Sequence, residues 1–156
     1  MKKQKNNKGP LIFIAIFVAV IVIALLIKFY FIPTKTYHSK TLKISIDVPN
    51  DYSIEEGTVS ILLKKKNNTG EILLFKIGTN SDNLEGYLLD IVNYNHLRLT
   101  NKENIKINNL QVIKVDINGK RNYLFYTKYR VYSLEASSKD LNSDLDRIAR
   151  SFRYEP

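Results

Sequence analysis

Residues 11–27 read LIFIAIFVAVIVIALLI without one polar position, whereas beyond residue 40 apolar and polar residues alternate or recur at helical spacing. A helix packed in a globular core keeps a polar stripe, and this run has none. As a helix, residues 11–27 cover about 25 Å and residues 10–32 about 33 Å, against a hydrocarbon thickness of about 30 Å. Pro10 suits a first helical turn, and Pro33 lacks the N–H that would continue the helix. Lys28 then lies one turn from the end, its ammonium reaching the headgroups, with Phe29, Tyr30 and Phe31 at the same interface. The pattern predicts a transmembrane helix over residues 10–32.

The remainder predicts a different architecture. Leu42, Ile44, Ile46 and Val48 alternate with Lys43, Ser45 and Asp47, a half-buried strand that Pro49-Asn50-Asp51 ends. Residues 59–63 and 71–77 flank Asn67-Asn68-Thr69-Gly70 and predict a hairpin. Asp82 and Glu85 have capping-box spacing ahead of Leu84, Tyr87, Leu88, Ile91 and Val92 on one helical face. Residues 110–117, the Asn118-Gly119 turn, residues 121–127 and residues 129–136 predict an antiparallel meander. A last helix over residues 138–152 aligns Leu141, Leu145, Ile148, Ala149 and Phe152, with acids early and arginines late, as the helix dipole favours. Helices on a largely antiparallel sheet make an α+β domain. The expected organisation is a tail (1–9), a transmembrane helix (10–32), a stalk (33–40) and one domain (41–156).

Charge refines the location. The net charge is +9, but Lys2, Lys3, Lys5, Lys8 and Lys28 account for more than half of it, and residues 35–156 carry 19 basic and 15 acidic side chains. The basic tail favours a cytoplasmic N-terminus and a C-terminal domain outside the cell membrane. The apolar run exceeds a signal-peptide core and lacks a small-x-small cleavage site, so it reads as a retained anchor. The one contiguous basic run, Lys64-Lys65-Lys66, precedes a turn and reads as solvated hairpin lysines rather than a nucleic-acid footprint.

Two stretches, ISIDVPNDYSIEE (44–56) and YRVYSLEASSKDLNSDLDRIARSFRY (129–154), resemble the PsbP-like, or Mog1/PsbP, family. Domains of that family begin with a strand running into a Pro-containing turn. They end on a strand, a polar stretch and a helix closing in an "i..SFr" pattern, here Ile148 to Arg153. The resemblance covers about residues 41–154. It implies an α-β-α sandwich with non-catalytic binding or assembly roles, serving photosystem II or a nuclear-transport GTPase in other members. Phe152 is implied as a core anchor, and Ser151 as a helix-end residue rather than a nucleophile.

Chemistry-bearing motifs are few. With no cysteine, thiolate catalysis and cysteine-ligated metals are excluded. The six glycines make no dinucleotide fingerprint or P-loop, and no Gly-x-Ser-x-Gly elbow occurs. Asp140-x-Asn142-x-Asp144-x-Asp146 has the opening spacing of a calcium loop, but Leu145 stands where the loop needs glycine and Ser151 where it needs glutamate. No cofactor, metal, small-molecule substrate or catalytic residue is assigned, and a non-enzyme is expected. Tyr and Arg crowd residues 121–132; because both are enriched at interface hot spots, Tyr126, Arg130 and Tyr132 are the candidate contacts for another envelope protein. The rival expectations are a membrane-tethered hydrolase whose residues meet only in three dimensions, and a structural domain shielding a membrane complex.

Overall fold

The structure, a computed structural model, describes residues 16–23, 33–67, 69–78, 83–127 and 130–156. The chain divides into two units, residues 1–33 and 34–156. In the first unit residues 16–23 are helical (α1), and all of them are exposed. No helix among the described residues is long and apolar enough to cross a membrane. Of the expected span, residues 10–15 and 24–32 lie outside the described residues, and so do the tail and Lys28, Phe29, Tyr30 and Phe31.

The second unit begins earlier than the alternation pattern suggested. Residues 33–40, expected as a stalk, contain strand β1 (Thr34–Ser39), paired along its whole length with β2 (Ile44–Pro49). The reason lies in β1's position: it carries mostly Thr, Lys and His on an exposed edge and buries little apart from Ser39 and part of Tyr37. Apolar periodicity is silent on such a strand. The C-terminal strand β10 (Arg153–Tyr154) pairs with the other side of β2, completing a small sheet in the order β1-β2-β10.

Seven further strands form the large antiparallel sheet: β3 (Tyr52–Glu56), β4 (Ser60–Lys65), β5 (Glu71–Ile77), β6 (Leu99–Ile107), β7 (Leu110–Ile117), β8 (Lys120–Thr127) and β9 (Arg130–Ala136). Among the described residues their order is β3-β4-β5-β9-β8-β7-β6, every neighbouring pair antiparallel. The Asn118-Gly119 turn joins β7 to β8 as expected, with both residues at positive φ (50° and 78°), the geometry that Asn-Gly tolerates best. Gly70 closes the β4–β5 loop where a Cβ would fall 2.7 Å from Leu141 Cδ1. Edge strand β6 is almost wholly exposed and carries an irregularity between Thr100 and Glu103 that blunts the edge.

Helices cover both faces of the sheet. Helix α3 (Asn142–Ser151), entered through a 3-10 turn (Lys139–Leu141), buries Leu145, Ile148 and Ala149 in the larger core together with β2. Helix α2 (Leu84–Asn95) buries Leu84, Tyr87 and Leu88 in a second core on the opposite face, over Ile113, Val115, Leu124 and Val131. The residue that caps α2 is Asn83, whose Oδ1 accepts from the Gly86 N–H at 2.7 Å. Asp82, expected in that role, lies outside the described residues. Glu85 turns away from the cap and binds Lys102 and Asn104 of β6. This is an α-β-α sandwich. Both cores draw all their residues from Tyr37 to Tyr154, so the second unit supplies its own apolar interior.

Candidate functional site

Strand pairing splits the Tyr/Arg-rich stretch between the two faces of the sheet. Tyr123, Phe125 and Tyr132 point into the larger core, whereas Tyr126 packs against the α2-side cluster. Tyr132 is 1% exposed, and its hydroxyl donates to the Leu42 carbonyl at 2.7 Å. Burial pushes its pKa up to about 12. Tyr132 therefore offers no surface to a partner, a correction that follows from its side of the pleat. Arg130 is exposed at the start of β9 and Tyr126 is half-buried. Tyr129 lies outside the described residues.

The acids that open the last helix are ties to the sheet. Asp144 Oδ2 accepts from the Tyr52 hydroxyl and from Lys65 Nζ, each at 2.9 Å, and Lys65 sits over the Tyr52 ring at 5.5 Å. Two residues on, Asp146 accepts from the Tyr123 hydroxyl at 2.8 Å and, through both carboxylate oxygens, from Arg121 Nη1 at 2.9–3.0 Å. Each acid thus holds one tyrosine and one cation. Among the described residues no group of three His, Cys, Asp or Glu converges to hold a metal. The lysines of the 64–66 run are similarly engaged: Lys64 with Glu55, Lys65 with Asp144 and Lys66 with the Asn50 carbonyl.

A third tie joins the two sheets. The Glu56 carboxylate accepts hydrogen bonds from Ser39 and Tyr37, which hold its pKa below the usual carboxylate range, while burial beside Glu56 lifts Tyr37 to about 12. A carboxylate with a depressed folded pKa stabilises the native state above its unfolded pKa and loses that contribution as pH falls through the folded value. Glu56→Gln is expected to lower stability at neutral pH and flatten its fall below about pH 4.5, the ordinary carboxylate value. Urea melts across pH 3 to 7 check this; parallel wild-type and variant curves would refute it.

Where a histidine and a serine lie side by side among the described residues, the serine is buried. His38 Nδ1 stands 3.2 Å from Glu155, and Ser45 lies opposite His38 in the β1–β2 ladder. Ser45 is only 1% exposed, so no substrate carbonyl reaches it. Ser151 Oγ donates to the Ile148 carbonyl and accepts from the Asp47 N–H, each at 2.7 Å, which makes it a helix-end residue. His96 caps α2 in a left-handed conformation, its N–H donating to the Val92 carbonyl.

A concave surface does exist. Helix α2 lies chiefly over β7 and β8, and beside it a groove of about 620 Å³ opens along β5, β9 and β8. Phe75, Ile91 and Leu124 supply apolar lining, while Lys120, Asn122, Ser133 and Glu135 supply polar groups. This groove was not legible beforehand, because its walls come from four separate segments of the chain. A smaller recess of about 400 Å³ lies near Asn83, Glu85 and Asn104, where Glu85 is already bound to β6.

A sandwich of this order and helix placement is the PsbP/Mog1-like fold. No family model and no curated protein matches the sequence. Among solved structures the chain is similar to the cyanobacterial PsbP, CyanoP, of Synechocystis, with a TM-score of 0.56 and 11% identity, covering 80% of this chain and 94% of that one. It is similar also to the Ran-binding protein Mog1p of Saccharomyces cerevisiae, with a TM-score of 0.52 and 9% identity over 80% of this chain and 96% of the other. At such identities the likeness concerns the fold.

Proposed function

We propose that the chain is a single-pass membrane protein whose residues 10–32 span the cell membrane, with the tail in the cytoplasm. Its PsbP/Mog1-like domain, outside, acts as a non-catalytic binding or assembly module for another envelope protein. The observation that carries the binding reading is how the polar chemistry is spent. Asp144, Asp146, Glu56 and Glu85 are tied into the scaffold, whereas Arg130 is exposed to contact. That one fold neighbour, Mog1p, is by name a Ran-binding protein accords with this. The anchor reading rests on the unbroken apolar run, of which residues 16–23 are helical and exposed. Only Pro33 stands between the proposed span and β1, so tethering confines the domain and raises its effective concentration toward neighbours in the same membrane.

A photo-crosslinker at Tyr126 in intact cells is expected to capture one or a few specific envelope proteins. Arg130→Ala should abolish that capture without moving the melting temperature, and alkaline carbonate should leave the chain in the membrane pellet. Random capture, together with substrate turnover by the purified protein, would replace the binding module with the tethered hydrolase. Release by carbonate would overturn the anchor.

A further inference from the structure

We propose that the groove beside α2 is a binding site for a small apolar zwitterion, an α-amino acid with a hydrocarbon or aromatic side chain. This goes beyond the protein-contact reading and rests on different residues. Small-molecule sites are concavities of about 300–1,000 Å³, mostly apolar, with a few polar groups that fix orientation. The groove, at about 620 Å³, is of this kind. Phe75, Ile77 and Ile91, all half-buried, offer an apolar bed for a side chain.

The polar end selects the ligand's charge. Glu135 of β9 stands directly opposite Asn122 of β8, and Lys120 follows two residues along the same face of β8. Neither Lys120 nor Glu135 takes part in the ion pairs formed among the described residues. The two stand on a diagonal of the ladder, about 7–8 Å apart at the backbone. A molecule carrying ammonium and carboxylate on one carbon bridges that diagonal, its ammonium toward Glu135 and its carboxylate toward Lys120. A fatty acid would leave Glu135 against an anion, and a simple amine would leave Lys120 against a cation. Asn122, buried beneath them, donates its Nδ2–H to the Lys120 carbonyl at 2.9 Å and fixes the backbone at the charged end.

The test uses the full chain in phospholipid nanodiscs, titrated with L-phenylalanine, N-acetyl-L-phenylalanine and L-phenylalaninamide while amide shifts of Phe75 and Leu124 are followed. Phenylalanine is expected to shift both saturably, and blocking either of its charges should weaken binding about tenfold or more, since each removes a charge-assisted hydrogen bond. Glu135→Gln should erase the penalty of acetylation and Lys120→Met that of amidation, with unchanged melting temperatures because neither residue is buried. The proposal is overturned if millimolar phenylalanine gives no saturable shift, if blocked analogues bind equally well, or if both variants keep wild-type discrimination.

Discussion

Phe152→Ala is expected to destabilise the domain by about 3–5 kcal/mol, the range for deleting a fully buried aromatic ring. The ring is 0% exposed, stacks on Phe125 with centroids 4.1 Å apart, and meets Tyr132 at 5.5 Å. It sits between α3 and β10, so its loss opens a cavity where the helix, the small sheet and the large sheet converge. Asn108 adds to the arrangement by donating to the Phe152 carbonyl at 2.8 Å, tying the β6–β7 turn to the helix end. Chemical denaturation of the wild type and the variant measures the difference. A loss below about 1 kcal/mol would mean that the ring is not the anchor described.

Asp144→Ala ranks second, with an expected loss of about 2–4 kcal/mol. Breaking a buried ion pair costs about 3–5 kcal/mol, and the lower figure reflects the remaining exposure of Asp144 and Lys65. The alanine leaves the Tyr52 hydroxyl and the Lys65 ammonium without their shared acceptor. A second change, Lys65→Met, removes the stranded charge, so the double variant is expected to be less destabilised than the sum of the two single variants. Asp140→Ala, at an exposed position in the 3-10 turn two residues before α3, should cost less than about 0.5 kcal/mol. Equal losses at Asp140 and Asp144 would return the acids to a generic dipole role.

These two side chains also show where sequence reading succeeds and where it stops. Phe152 falls on the same helical stripe as Leu145, Ile148 and Ala149, so its burial follows from spacing alone. Asp144 and Asp146 read as a first-turn acidic cluster that favours the helix dipole, which is a local account. That each meets a tyrosine and a cation depends on Tyr52, Lys65, Arg121 and Tyr123, which are 23 to 92 residues away along the chain. Tyr132 fails in the opposite sense. Its composition-based assignment to a surface ignored the period of two, which sends Tyr132 and Leu134 to one face and Val131, Ser133 and Glu135 to the other.

The sequence by itself determined the class of the domain, because apolar positions at periods of two and 3.6 specify which faces must be buried. It determined the Asn118-Gly119 hairpin, since few other dipeptides adopt two successive positive φ angles at low cost. It also marked residues 11–27 as unlike the rest of the chain. Only the tertiary structure decided that residues 34–39 belong to the domain, because an exposed edge strand is held by backbone hydrogen bonds that leave no apolar signature. Only the tertiary structure decided how far α2 reaches across the sheet. The groove, with Lys120 and Glu135 at one end, arises from that placement, since it depends on which strands lie side by side and not on what any one of them contains.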